Sequence, residues 1–228
     1  EEKEKSGVSW NLDGYPNIAG KTMGGKQFWT DEMVRGEWRI QRNCVTGHCR
    51  MLNDRGVRQA WGTWDHCKEK WDEFDEAGEL PTLKRKVIIV LHGLVRSRDS
   101  MSGMAEFLAE DRDYSVLNIT YASTRLPISN HAESLQRIVT RLGDVEEINF
   151  VAHSMGNIVI RHFIGDQLVA ARGFGNDPRI QRVVMLATPN SGADLAKRFQ
   201  NNVVFKVIFG KSGQQLGKEW GDLTNRLA

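Results

Sequence analysis

Residues 148–161, INFVAHSMGNIVIR, constrain the fold more than any other stretch of this chain. A short apolar run (148–152) ends in the tight sequence Ala152-His153-Ser154-Met155-Gly156, and an apolar segment of helical length (157–169) follows. Strand, sharp turn with a central serine, helix: in this context a G-x-S-x-G-type turn has chemical meaning, because it raises the serine hydroxyl above the sheet edge on a strained backbone. The positions two before and two after the serine must be small, since strand and helix pass close together there. Ala152 and Gly156 meet that demand, although glycine is commoner at the first of them. The bland reading is a serine in an ordinary βα loop. The strand on one side and the helix on the other favour Ser154 as a candidate nucleophile.

Flanking segments repeat the alternation. Lys84-Arg85-Lys86 precedes VIIVL (87–91), a continuous β-branched run of the kind buried on both faces of a parallel sheet. Asp99 or Ser100 then opens a helix with Met101, Met104, Ala105 and Leu108 on one face. Residues 116–120 form the next strand. Ser129, beyond Pro127, caps a helix with Ala132, Leu135, Ile138, Val139 and Leu142 inward. After the serine turn and its helix comes VVMLA (183–187), ending in Thr188-Pro189-Asn190-Ser191-Gly192. Four alternations without an internal repeat predict an α/β fold: a mostly parallel central sheet with helices on both faces. Ligand chemistry then belongs at the carboxyl ends of the strands, where His92-Gly93-Leu94, Ser154 and Thr188-Pro189 all fall.

The N-terminal third reads differently. Residues 1–30 are expected to be a polar tail or strap, and 31–228 the main domain, divided into an N-terminal hairpin and helix (31–80) and a core (81–228). GEWRIQR (36–42) and HCRMLN (48–53) form an antiparallel hairpin turning at Val45-Thr46-Gly47, and Asp54-Arg55-Gly56 marks another turn. Thr63 or Asp65 caps a helix running to about Glu76. Six of the seven tryptophans precede residue 72, either as an aromatic ligand platform or, the preferred reading, as anchors of this region on the main sheet.

Composition removes several function classes. Lys+Arg 31 against Asp+Glu 29 gives a net charge of +2, no basis for nucleic-acid or membrane-surface binding. The longest apolar run is far short of a membrane span. Three cysteines are too few for a disulfide scaffold, and Cys44, Cys49 and Cys67 with His48 and His66 match no standard zinc spacing. No metal and no cofactor are expected. Oligomeric state is open. So is localisation: cytoplasmic or, if a leader was removed, periplasmic or secreted.

Three segments, VIIVLHGL (87–94), FVAHSMGN (150–157) and VVMLATPNSG (183–192), resemble the α/β-hydrolase superfamily, specifically its serine lipase and esterase branch. The resemblance runs from Pro81 to about Phe199. It implies a nucleophile elbow at Ser154 and an oxyanion hole made by the backbone N–H groups of Leu94 and Met155. Ester cleavage passes through a tetrahedral oxyanion, and two rigid N–H groups aimed at it lower the barrier by several kcal/mol. The implied substrate is a small-molecule or lipid ester.

A serine hydroxyl needs a base, and in this superfamily the order along the chain is serine, acid, histidine. After Ser154 there is only His162, eight residues along the same helix and roughly 12 Å up its axis. His153, His92, His131, His48 and His66 take no catalytic role. Asp194 and Asp222 are available acids, but Asp194 is expected to be a helix cap and Asp222 an exposed terminal residue. The expectation is an α/β-hydrolase incomplete at its C-terminus, with VVFKVIF (203–209) its last strand or buried helix and this 228-residue chain inactive alone for lack of the histidine. An acyltransferase or thioesterase on the same nucleophile stays open, as does a non-catalytic binding protein if the chain truly ends at Ala228.

Overall fold

The computed structural model describes residues 25–170 and 177–188, together with two short antiparallel strands, Ser9–Trp10 (β1) and Pro16–Asn17 (β2). Residues 1–24 of the expected tail, the acids Asp194 and Asp222, and residues 203–209 otherwise lie outside the described residues, while the last residues of the expected tail belong to the fold: Lys26–Phe28 is a 3-10 turn, and Trp29 and Thr30, both buried, begin a strand.

The expected hairpin is the centre of a larger sheet. Trp29–Arg35 (β3), Trp38–Asn43 (β4), Cys49–Leu52 (β5) and Arg58–Gly62 (β6) form a four-stranded antiparallel meander in sequence order. Gly36 and Gly47 turn its first two hairpins at φ +61° and +73°, where a β-carbon would be strained. Trp64–Glu76 (α1) packs beneath. Its N-cap is Thr63, whose side chain accepts from the His66 N–H at 3.2 Å. Trp38 and Trp71 do not anchor this region on the main sheet. They join Met33, Ile40, Cys49, Met51, Ala60 and Leu80 in a separate small core between the meander and α1. Trp29 instead lies under the Arg50 guanidinium, 4.0 Å from its ring centroid.

Asp31 joins the two halves. It is fully buried and accepts from Gln41 Nε2 (2.7 Å), Arg39 Nη1 (3.1 Å) and the Thr120 backbone N–H (2.7 Å), while its own N–H donates to the Thr120 carbonyl (2.9 Å). Glu32 beside it is also buried and faces Arg137, Arg141 and Arg42.

The second sheet is parallel: Lys86–Leu91 (β7), Tyr114–Asn118 (β8), Glu147–His153 (β9) and Ile180–Leu186 (β10), in the order β10-β9-β7-β8. Side chains alternate across it as a period of two demands. Val87, Ile89 and Leu91 point into the main core, and Ile88 and Val90 into a smaller one on the other face. The crossover helices are Ser102–Ala109 (α2), Ile128–Thr140 (α3) and Met155–Ala170 (α4). In α3, Ile128, Ala132, Leu135, Ile138 and Val139 form one apolar stripe. With α4 it covers the main-core face, while α2 lies on the other. Two helix starts differ from expectation. Residues Arg98–Met101 form a 3-10 turn ahead of α2, and α3 begins at Ile128 directly behind Pro127, whose preset φ suits a helix entry, so Ser129 is not the cap. No helix among the described residues is long and apolar enough to cross a membrane.

Candidate active site

The carboxyl ends of three parallel strands converge on Ser154. It follows β9 directly and opens α4, with φ +53°. Val95 (φ +60°), in the turn after β7, and Ala187 (φ +48°), after β10, are also left-handed. These are the non-glycine residues in that region of φ among the described residues, and all three lie at one edge of one sheet. Such conformations each cost on the order of 1–3 kcal/mol and persist only where the surroundings over-determine them.

The surroundings are visible. The Leu186 carbonyl, at the end of β10, accepts from the Ser154 N–H (2.8 Å) and from Asn157 Nδ2 (2.9 Å). The Asn157 N–H returns to the Ser154 carbonyl (3.1 Å). On the other side the chain runs against the turn after β7. A β-carbon on Gly156 would lie 2.9 Å from the His92 carbonyl oxygen and 3.0 Å from Leu91 Cβ. One on Gly93 would lie 2.9 Å from His153 Nδ1 and 3.2 Å from Ser154 Cβ. Both glycines are therefore required by close approach, the reason the sequence pattern assigned to Gly156.

The two N–H groups singled out from the sequence, Leu94 and Met155, donate to no protein acceptor among the described residues. Met155 is the first residue of α4, so its N–H is one of the donors a helix leaves open, at the positive end of the helix dipole. Gly93, next to Leu94, lies against Ser154. Met155 thus adjoins the serine in the chain and Leu94 follows the glycine that lies against it, and neither N–H has a protein acceptor among the described residues.

The histidines are otherwise engaged. His92 is fully buried, with Nδ1 2.9 Å from the Gly93 oxygen, and burial pulls its pKa down to about 4. Its ring stacks on Tyr121 (4.2 Å, 12° between planes), and Tyr121 Oη donates to the His92 carbonyl. His131 packs on the other side of that tyrosine (4.9 Å, 57°). Burial, then the neighbouring His92, hold its pKa at about 3. His162 is buried on α4 with Nδ1 2.8 Å from Asp166 Oδ2. His48 sits edge-on to Trp61, far along the meander. Cys49 and Cys67 are buried and no disulfide joins any of the three cysteines; burial raises the pKa of Cys44 and Cys49. Among the described residues no group of three His, Cys, Asp or Glu is placed to hold a metal ion.

A family model for the α/β hydrolase fold matches residues 86–208, more than half of the chain. The chain belongs to this family. Solved structures similar to this α/β-hydrolase chain include the mature form of the lipase BlEst2 of Bacillus licheniformis, 18% identical over 65% of this chain and 63% of that one (TM-score 0.46). The phospholipase PlaB of Legionella pneumophila is 16% identical over 62% and 33% (TM-score 0.48). The monoacylglycerol lipase of Paleococcus ferrophilus is 14% identical over 64% and 69% (TM-score 0.45). The chain therefore spans less than two thirds of the Bacillus and Legionella proteins. At these identities the likeness is one of fold. No curated protein matches in sequence.

Sequence reasoning found the serine turn and its glycine but missed two features. Asp31, in the strand WTDEMVR, carries the joint between the sheets, and nothing local distinguishes a buried aspartate from a solvated one. The Tyr121–His131 stack behind His92 depends on contacts between residues from separate elements, which no spacing reveals.

Proposed function

We propose that this chain is a serine hydrolase that cleaves carboxylic esters, with Ser154 as nucleophile and the N–H groups of Leu94 and Met155 as the oxyanion hole. The observation that supports it is the conjunction at Ser154: a left-handed serine at a strand–helix junction, held by Leu186 and Asn157, next to Met155 and against Gly93, with the N–H groups of Met155 and Leu94 lacking a protein acceptor among the described residues. In this reading Ser154 Oγ attacks the ester carbonyl and the carbonyl oxygen becomes an anion held by the two N–H groups. Collapse of the tetrahedral intermediate breaks the C–O bond to the alcohol, which leaves with the proton given up by the serine hydroxyl, and an acyl-serine remains; water then adds to its carbonyl, one of its protons returns to Ser154 Oγ, and the acid is released. The Met155 N–H adds the α4 dipole to that stabilisation. None of the six histidines of this sequence is assigned as the base.

Two roles divide the strain and the packing. In this reading the left-handed backbone at Ser154 serves to present its hydroxyl to the substrate. The close approach of α4 to the turn after β7, which Gly156 and Gly93 permit, serves in the same reading to bring both donors to one oxygen. The test uses the protein expressed from its natural reading frame. A fluorophosphonate probe is expected to label Ser154, with the label lost in Ser154→Ala and p-nitrophenyl butyrate turnover lost with it. Neither labelling nor turnover of short or long acyl esters would remove the proposal.

A further inference from the structure

Three buried rings behind the serine turn take no part in the cleavage just described. His92, Tyr121 and His131 are each at least nineteen-twentieths buried. Their arrangement bears on one peptide plane. His92 Nδ1 lies 2.9 Å from the Gly93 carbonyl oxygen, and the Arg96 N–H adds a longer bond to the same oxygen at 3.3 Å. An imidazole nitrogen this close to a carbonyl oxygen must carry the proton, because two lone pairs would repel. The peptide between Gly93 and Leu94 is trans, so its N–H points opposite to its C=O. Holding the Gly93 carbonyl on the imidazole therefore aims the Leu94 N–H away from it.

The imidazole can do this only if it stays in place. Tyr121 lies flat on it at 4.2 Å, and its hydroxyl donates to the His92 carbonyl. That same carbonyl is the atom a β-carbon on Gly156 would meet at 2.9 Å, so it is confined between Tyr121 and the start of α4. His131 closes the far side of the stack at 4.9 Å. Tyr121 follows β8, and the N–H of Ala122, its neighbour, donates to Thr30 Oγ1 (3.1 Å), tying this strand end to β3.

We propose that Tyr121 is a positioning residue for the oxyanion hole. It clamps His92 by ring stacking and through the His92 carbonyl, and His92 in turn orients the Leu94 N–H. The inference rests on the reading of Ser154 as nucleophile. A side chain that merely fills the core would matter through its ring; a positioning residue matters through its hydroxyl as well.

Tyr121→Phe removes the hydroxyl and keeps the ring. In the protein from its natural reading frame, kcat on p-nitrophenyl butyrate is expected to fall about 10- to 100-fold, somewhat less than loss of a whole oxyanion donor, with KM within about two-fold of wild type. The Leu94 amide cross-peak in a 15N–1H spectrum is expected to move, a readout independent of turnover. An active wild type whose Tyr121→Phe variant turns over at the same rate would overturn the inference while leaving Ser154 as nucleophile. A fall in kcat with the Leu94 cross-peak unmoved would reduce Tyr121 to a packing residue. A wild type that neither turns over ester nor takes the fluorophosphonate would overturn both readings together.

Discussion

Replacing Gly156 by alanine puts a methyl group where α4 and the turn after β7 leave no room. The added carbon would lie 2.9 Å from the His92 oxygen, 3.1 Å from the Leu91 oxygen and 3.0 Å from Leu91 Cβ. Two of these are backbone atoms of a central strand end, which cannot swing aside as a flexible side chain would. Alanine has the better helix propensity, a gain of up to about 1 kcal/mol. Overpacking costs about 1–3 kcal/mol, and rigid neighbours place this site at the upper end. The net expectation is a loss of about 2 kcal/mol, or a fall in Tm of roughly 4–8 °C for a chain of this size. Gly103→Ala is the internal control: the same substitution in α2, where nothing lies within 4 Å of the new carbon. There only the propensity term remains, and Tm is expected to hold or rise by about 2–4 °C. Differential scanning calorimetry of both variants and the wild type decides the matter. If Gly156→Ala melts at or above the wild-type temperature, α4 is not held against the turn after β7, and the close approach on which the proposed oxyanion hole depends is wrong.

Ser154→Gly relieves a left-handed non-glycine conformation and is expected to raise Tm by about 2–4 °C, roughly 1 kcal/mol, while abolishing fluorophosphonate labelling; an unchanged or lower Tm would mean that the turn is not strained. Asp31→Ala leaves Arg39 and the Thr120 N–H without their buried acceptor and is expected to cost about 3–5 kcal/mol by urea denaturation; a loss below about 1 kcal/mol would show that the joint between the sheets lies elsewhere. His92 and His131 have folded pKa values of about 4 and about 3, below the ordinary value near 6.5, so the unfolded chain takes up their protons first as pH falls. Stability is therefore full above about pH 6.5 and is lost as pH falls from there to about 4 for His92 and about 3 for His131, each histidine contributing up to about 1.4 kcal/mol per pH unit. His131→Gln is expected to flatten that slope in denaturation curves taken from pH 7 to pH 4, and an unchanged slope would refute the assignment.

Much of the parallel sheet was legible because its signals are local. The run VIIVL can satisfy its backbone and bury both faces only as a central strand, and the structure seats Val87, Ile89 and Leu91 in one core and Ile88 and Val90 in another. The small residue after Ser154 was legible for the same kind of reason: a tight strand–helix crossing leaves no room for a β-carbon, and Gly156 has none. The N-terminal third was less legible. Its outer strand carries Thr30, Asp31 and Glu32, which break the apolar alternation that marks a strand, so the four-stranded meander read as a single hairpin. Charges in a strand are tolerated here because Arg39, Gln41, Arg137 and Arg141, distant in sequence, meet them in the interior.

The sequence by itself determined the alternation of strands and helices, the order of the three motif segments, and the serine turn with its small neighbours. These follow from hydrophobic period and local sterics, which are properties of adjacent residues. Only the tertiary structure decided which polar groups are buried together: the Asp31 joint, the Glu32 arginine cluster and the His92–Tyr121–His131 stack. A buried carboxylate or imidazole is stable only through partners that the fold delivers from elsewhere, and no reading of neighbours along the chain contains that information.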